Sequence, residues 1–279
     1  MGWTLTDDLD VFLDRAGDFL RDDPVANTVP LTVTQAMRAR GPGLYDSALF
    51  GWWTDGGRVG AAMLWTSGYP PLLSAMPEQA ARELAGVLAG RDGAAVPGIE
   101  AAWGIAETFA RAWTDATGAA SRVALRERLY RLTRLAAPDP PPEGAARVAG
   151  AADRDLVLDL HAAFHRDAGG HGEMNRKVVE GKLAEGCLML WEVEGRPVAL
   201  AGRTPVVAEM ARVAPVYTPT RHRNRGYGAA VTTAATRAAQ DAGAAHVVLF
   251  TDLANPTSNG IYQRLGYHPV EDRVVIAFT

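Results

Sequence analysis

At 279 residues the chain is longer than one average domain, and length alone leaves room for about two, each able to bury a core of its own. Hydrophobic residues at 48% and charged residues at 22% fit a soluble globular protein, and a net charge of −4 argues against a general nucleic-acid binder. The single cysteine, Cys187, excludes an intramolecular disulfide and a thiolate-rich metal site, and no apolar run approaches the ~20 residues of a membrane helix. The expectation is a cytoplasmic chain with no membrane or nucleic-acid partner. Met1 to Asp10 carries three aspartates and no basic residue, unlike a signal peptide. Met1-Gly2 with Thr6 matches a short myristoylation pattern, which without a second anchor gives only marginal membrane binding.

In chain order, Asp8 to Leu20 reads as a helix, and Ala48 to Thr54 with Arg58 to Thr66 flank Asp55-Gly56-Gly57 as a hairpin. Glu78 to Ala89 and Ile105 to Trp113 read as amphipathic helices. Arg122 to Leu135 alternates polar and apolar residues as a strand does. Ala136 to Gly144 holds four prolines and a glycine and reads as a stiff exposed linker, dividing the chain into 1–139 and 140–279.

Past the linker, Arg154 to His165 carries a helical apolar stripe, and Leu188 to Glu194 with Pro197 to Arg203 form a hairpin about Glu194-Gly195. Glu209 to Tyr217 is a strand, Ala229 to Ala242 a helix ending at Gly243, and His246 to Thr251 a buried strand. Asn259 to Leu265 is a short helix before Gly266, and Val274 to Phe278 a last strand. The fold class is α/β with a mixed sheet, and both halves run helix, hairpin, further elements, terminal strand.

The chemistry concentrates at Arg223-Asn224-Arg225-Gly226-Tyr227-Gly228-Ala229, which joins a strand to a helix. Glycines permit a tight turn and close approach, and the first helical turn offers unpaired N–H groups at the positive dipole end. This suits a phosphate, with Arg223 and Arg225 adding charge. A Walker loop would need Lys-Ser/Thr after the second glycine, and a dinucleotide fingerprint a small residue where Val231 stands. On the loop alone, an anion cradle and a plain surface turn both stay open.

The pattern Arg-x-x-Gly-x-Gly resembles the pyrophosphate loop of the GCN5-related N-acetyltransferases. Ala214 to Pro219 upstream, and Asn255 to Asn259 with Tyr262 and Gly266-Tyr267 downstream, extend the resemblance over Arg147 to Thr279. The resemblance implies an acetyl-CoA co-substrate, no metal, and an amine acceptor, most simply a small molecule, for a monomer or homodimer. It puts the main chains of Val216, Tyr217 and Thr218 along the pantetheine arm, and Arg223, Asn224, Arg225, Gly226, Tyr227, Gly228 and Ala229 around the pyrophosphate. Asn255 would bond the pantetheine chain with Ser258 close by, and Tyr262 would be the general acid for the leaving thiolate. The residues leave the base open among Glu209, Glu185, Asp252, His222 and water; Glu209 lies seven positions before Val216, ~23 Å along an extended strand. The first half resembles a degenerate copy of the same fold, without either motif; the resemblance puts Pro97-Gly98-Ile99-Glu100, before a helix, where a loop-to-helix anion site would sit. A non-catalytic acyl-CoA-binding module and an acetyltransferase acting on protein lysines or N-termini are the other readings.

His161 and His165, one helical turn apart with His171 beyond, suggest a metal edge but lack the glutamate of the zinc-protease motif. Phe164, His165 and Asp167 could instead face an acceptor. Trp52, Trp53 and Trp65 read as core before they read as an aromatic pocket.

Overall fold

A computed structural model describes residues 1–91, 95–167 and 174–279. The first half contains strand β1 (Gly2–Thr6), helices α1 (Leu9–Asp22) and α2 (Thr28–Arg40), strands β2 (Ala48–Asp55), β3 (Arg58–Thr66) and β4 (Leu72–Leu73), helix α3 (Glu78–Ala89), strand β5 (Gly98–Ala102), helix α4 (Trp103–Thr117) and strand β6 (Ser121–Leu132). The second contains β7 (Ala145–Val148), α5 (Arg154–Asp167), α6 (Arg176–Ala184), β8 (Leu188–Val193), β9 (Arg196–Arg203), β10 (Met210–Tyr217), α7 (Tyr227–Asp241), β11 (His246–Asp252), α8 (Pro256–Arg264) and β12 (Tyr267–Phe278).

Local chemistry sets many of these boundaries. The Asp8 carboxylate accepts from the Asp10 and Val11 N–H groups and caps α1. Gly56 and Gly57, at φ 55° and 82°, close the β2–β3 hairpin, and Glu194-Gly195, at 50° and 73°, closes β8–β9. Neither α2 nor α6 follows from the periodicity. In α2 a β-branched run and Pro30 hide the helix, and the hydroxyls of Thr32 and Thr34 bond back to the carbonyls of Thr28 and Pro30.

The strands form one 12-stranded sheet in the order β1-β2-β3-β4-β5-β12-β6-β11-β10-β9-β8-β7. The last strand of each half is seated against the other half: β12 pairs with β5, and β6 with β11. Between them β6 and β12 pair antiparallel from Leu132–Tyr267 to Ser121–Phe278. Leu129 and Tyr130 of β6 are fully buried, each worth about 1.5–3 kcal/mol of apolar burial. Helices α1 and α2 complete a core that joins Phe12, Leu20 and Phe50 to Leu129, Met210 and Val248, and so cover strands of both halves. On the other side α7 packs its alanines against β9 and β10.

One expectation fails. Pro97 to Glu100 is not a loop opening an anion site, because Gly98–Ala102 is strand β5, paired in register with β12. The short strands β1, β4 and β7 also go beyond the sequence reading, being too brief to show a period.

Candidate active site

The site begins where two parallel strands part. β10 and β11 pair only at Met210–His246, Ala211–Val247 and Arg212–Val248. Past Arg212, β10 stays with β9 through a bulge between Val213 and Val216, while β11 stays with β6 as far as Asp252–Glu127. The bulged carbonyl of Ala214 accepts from the Lys182 ammonium at 2.7 Å. Gly202 is required beneath it, since a Cβ there would stand 2.6 Å from the Ala214 oxygen. The facing edges of the parted strands leave main-chain groups for a ligand to satisfy. The cleft that opens there has a volume of about 990 Å³.

The glycine loop forms one end of this cleft. Asn224 and Gly226 adopt left-handed φ values of 62° and 82°, which turn the chain into α7. The first helical bond runs from Ala230 N–H to the Gly226 carbonyl, so the N–H groups of Tyr227, Gly228 and Ala229 have no acceptor within the helix. A Cβ on Gly228 would come within 3.4 Å of Thr218 Oγ1, narrowing the cradle where the chain crosses it. Tyr227 is buried in the α7 core and also lines the cleft. Arg223 donates to the Thr218 carbonyl at 3.0 Å and pairs with Asp167 at 2.7 Å, and Asp167 also accepts from the Tyr217 hydroxyl at 3.1 Å. Arg225 is exposed and lies outside the lining, the one residue of the predicted set that does.

The other predicted residues line the same cleft: Val216, Tyr217 and Thr218 from β10 and its exit, and Asn255, Ser258 and Tyr262 from α8. Asn255 is the N-cap of α8, its side-chain oxygen accepting from Ser258 N–H at 3.0 Å. Tyr262 is buried, with Tyr267 edge-on at 6.2 Å, and burial pushes its phenol well above the ordinary range.

The candidate bases separate by position. Glu209 precedes β10 at φ 57°, and its carbonyl accepts from His246 N–H; it is not part of the lining. Glu185 is paired with Arg40 at 2.5 Å, again outside the lining. Asp252 and His222 do line the cleft, the His222 imidazole held low by partial desolvation and by the charges of Arg221 and Arg225. Another carboxylate, Glu127 of β6, lines the cleft and was not among the sequence candidates. Burial, and then the neighbouring Glu100, push its carboxyl up to about 7. Its signal in the sequence is only a place in an alternating strand, and nothing there tells that β6 crosses into the other half.

Phe164 and Asp167 line the cleft, while His165 is outside the lining. His161 is buried, with its imidazole pushed down to about 3 by burial and by Lys182, and His171 lies outside the described residues. Among the described residues no group of three or more His, Cys, Asp or Glu could hold a metal ion. The tryptophans belong to the cores: Trp52 packs with α1, Trp53 donates to Glu83 at 2.7 Å, and Trp65 packs against the α3–α4 core.

Residues 155–267 match the family model described as the acetyltransferase (GNAT) family. No curated protein sequence matches the chain. Among solved structures, a Drosophila protein superposes with a TM-score of 0.69 at 15% identity, covering 97% of this chain and 95% of its own. A GNAT-family acetyltransferase from Colwellia psychrerythraea gives 0.60 at 13% identity, covering 100% and 99%. A tandem GNAT protein from the clavulanic acid biosynthesis pathway gives 0.56 at 12% identity, covering 99% and 98%. At these identities the likeness is one of fold, and it extends over both halves.

Proposed function

From the match of residues 155–267 to the acetyltransferase (GNAT) family model, we propose that the chain transfers an acyl group, in the first instance acetyl from acetyl-CoA, to a small-molecule amine. The observation that carries this reading is the parting of β10 from β11 beyond Arg212–Val248, directly before the α7 N-terminus. A pyrophosphate at that terminus meets the free N–H groups of Tyr227, Gly228 and Ala229 and the positive end of the helix. Asn224, Gly226 and the Arg223 side chain complete its surroundings, with Arg225 contributing charge from the exterior. A pantetheine amide running beside Val216, Tyr217 and Thr218 takes the place of the missing strand partner, with Asn255 and Ser258 on the far wall. We assign coenzyme binding to this cleft alone, the first half having no counterpart of the glycine loop.

An amine attacking the thioester carbon makes an oxyanion, and a main-chain N–H at the parted edge near Val216 is the donor aimed at it. The sulfur leaves beside Tyr262. Burial keeps that phenol protonated, but it also raises the proton affinity of a thiolate formed next to it. What matters is the difference between the two acids, which desolvation shifts together, so Tyr262 remains able to donate as negative charge develops on sulfur.

The test is Tyr262→Phe. It is expected to bind acetyl-CoA within about 2-fold of wild type while kcat falls about 10²-fold, read by calorimetry and by free-thiol release across an amine panel. Unchanged kcat removes Tyr262 from the proton transfer, and normal acetyl-CoA binding by a wild type that turns over no amine supports a non-catalytic binding module instead.

A further inference from the structure

The geometry points to Glu127 as the group that takes the proton from the acceptor, and to a small alkylammonium as that acceptor; this rests on the acyl-transfer reading above. Glu127 comes from the first half of the chain, yet stands at the open end of the gap between β10 and β11. It is the cross-strand neighbour of Asp252, the last residue of β11, and such neighbours share one face of a sheet with Cβ atoms about 5 Å apart. Both line the cleft, with Leu125, Phe250 and Phe164 supplying apolar wall for an alkyl chain.

Glu127 is available for chemistry. Among the described residues, no hydrogen bond or ion pair holds its carboxylate. The arginine directly opposite on β12, Arg273, is only 4% exposed and already donates to Glu271 and to the Leu73 carbonyl, with Glu100 of β5 3.7 Å from its Nε. The groups facing Glu127 are therefore Asp252 from β11, Arg273 from β12, Glu100 from β5 and the partly buried Arg212 from β10. Burial and the two carboxylates outweigh the two arginines and hold Glu127 near neutrality, where a base is most effective.

The step balances without another reactant. Glu127 takes one proton from the bound ammonium, leaving a neutral amine. The nitrogen lone pair forms the C–N bond to the thioester carbon, and the C–S bond breaks with its electrons on sulfur. The nitrogen then loses one of its two remaining protons and sulfur gains one, giving an amide and a free thiol. Glu127 returns its own proton to solvent before the next cycle.

The test uses the full chain saturated with acetyl-CoA, a panel of primary alkylamines and alkyldiamines, and thiol release between about pH 5.5 and 9.5. With Glu127 as base, kcat/KM rises through about pH 7 to a plateau that holds to the top of this range, where the free ammonium, of pKa ~10, begins to deprotonate. Glu127→Gln lowers kcat/KM about 10²-fold and abolishes the limb near 7, with acetyl-CoA Kd within 2-fold of wild type, and Glu127→Asp restores part of the rate. A wild-type profile that climbs continuously toward pH ~10, or a Glu127→Gln rate within 3-fold of wild type, overturns the assignment of the base. Acetyl-CoA binding with no turnover of any cationic amine overturns the acceptor class. Failure of wild type to bind acetyl-CoA strikes the acyl-transfer reading itself, a separate outcome.

Discussion

At the scale of single residues, the burial of Glu127 has a consequence for stability as well as for proton transfer. Its folded-state pKa of about 7 lies above the ordinary carboxylate value, so between those values the native chain holds a proton that the unfolded chain has lost. Its contribution to stability is therefore fully present at pH 4 and lost as pH rises through 7. Glu127→Gln is expected to raise Tm relative to wild type more at pH 8 than at pH 5, measured by calorimetry at both. An equal shift at the two values would mean that Glu127 is not desolvated. Asn255 makes a second residue-level test. Its side-chain oxygen caps α8, so Asn255→Ala should cost about 1 kcal/mol of stability by denaturant titration, in addition to any loss in coenzyme affinity. The places of Tyr262 and Asn255 in the cleft are legible in the sequence because the two sit at short spacings within one motif. Glu127 is not, because its meaning depends on a pairing between residues 127 and 252 that no local pattern encodes.

At the scale of elements, the central device is a strand–turn–helix unit: β10, the left-handed residues Asn224 and Gly226, and α7. Gly226 adopts φ 82° where an L side chain is strained by roughly 1–2 kcal/mol, and the strain falls on the turn that aims the α7 N–H groups. Gly226→Val should therefore raise the acetyl-CoA Kd at least about 10-fold by calorimetry while lowering Tm by a few degrees. A Kd unchanged by that substitution would detach the loop from coenzyme binding. This unit is readable in advance because glycine spacing, helix start and strand all lie within a few residues of one another. The strand β5 is not, since Gly98–Ala102 is short and its pairing partner β12 is far away in the chain. Helix α2 is hidden for another reason: tertiary burial of Thr28, Leu31 and Met37 overrides a β-branched, Pro-containing sequence.

At the scale of the molecule, the proline-rich linker and the shared order of elements suggest two folding units, 1–139 and 140–279. The sheet qualifies what such units would be. Each ends in a strand that is seated between strands of the other, β6 between β11 and β12, and β12 between β5 and β6. Residues 140–279 alone would leave the facing edges of β11 and β12 unpaired and strip Glu127 from the cleft. Expressed separately, that segment is expected to aggregate or to lack a cooperative unfolding transition, and co-expression with residues 1–139 to restore a soluble complex. A stable, cooperatively folding segment 140–279 would contradict the interdependence. The arrangement also gives the first half a reason to persist without a phosphate loop: it supplies a wall of the cleft in which we propose the acceptor binds.

The most direct measurement of the central claim is titration calorimetry of the full-length chain with acetyl-CoA and with coenzyme A. The account predicts saturable binding of one acetyl-CoA per chain, with a Kd between ~1 μM and ~1 mM, weakened at least about 10-fold in Gly226→Val. No heat with either compound at about 1 mM, or two equivalent sites per chain, would contradict it.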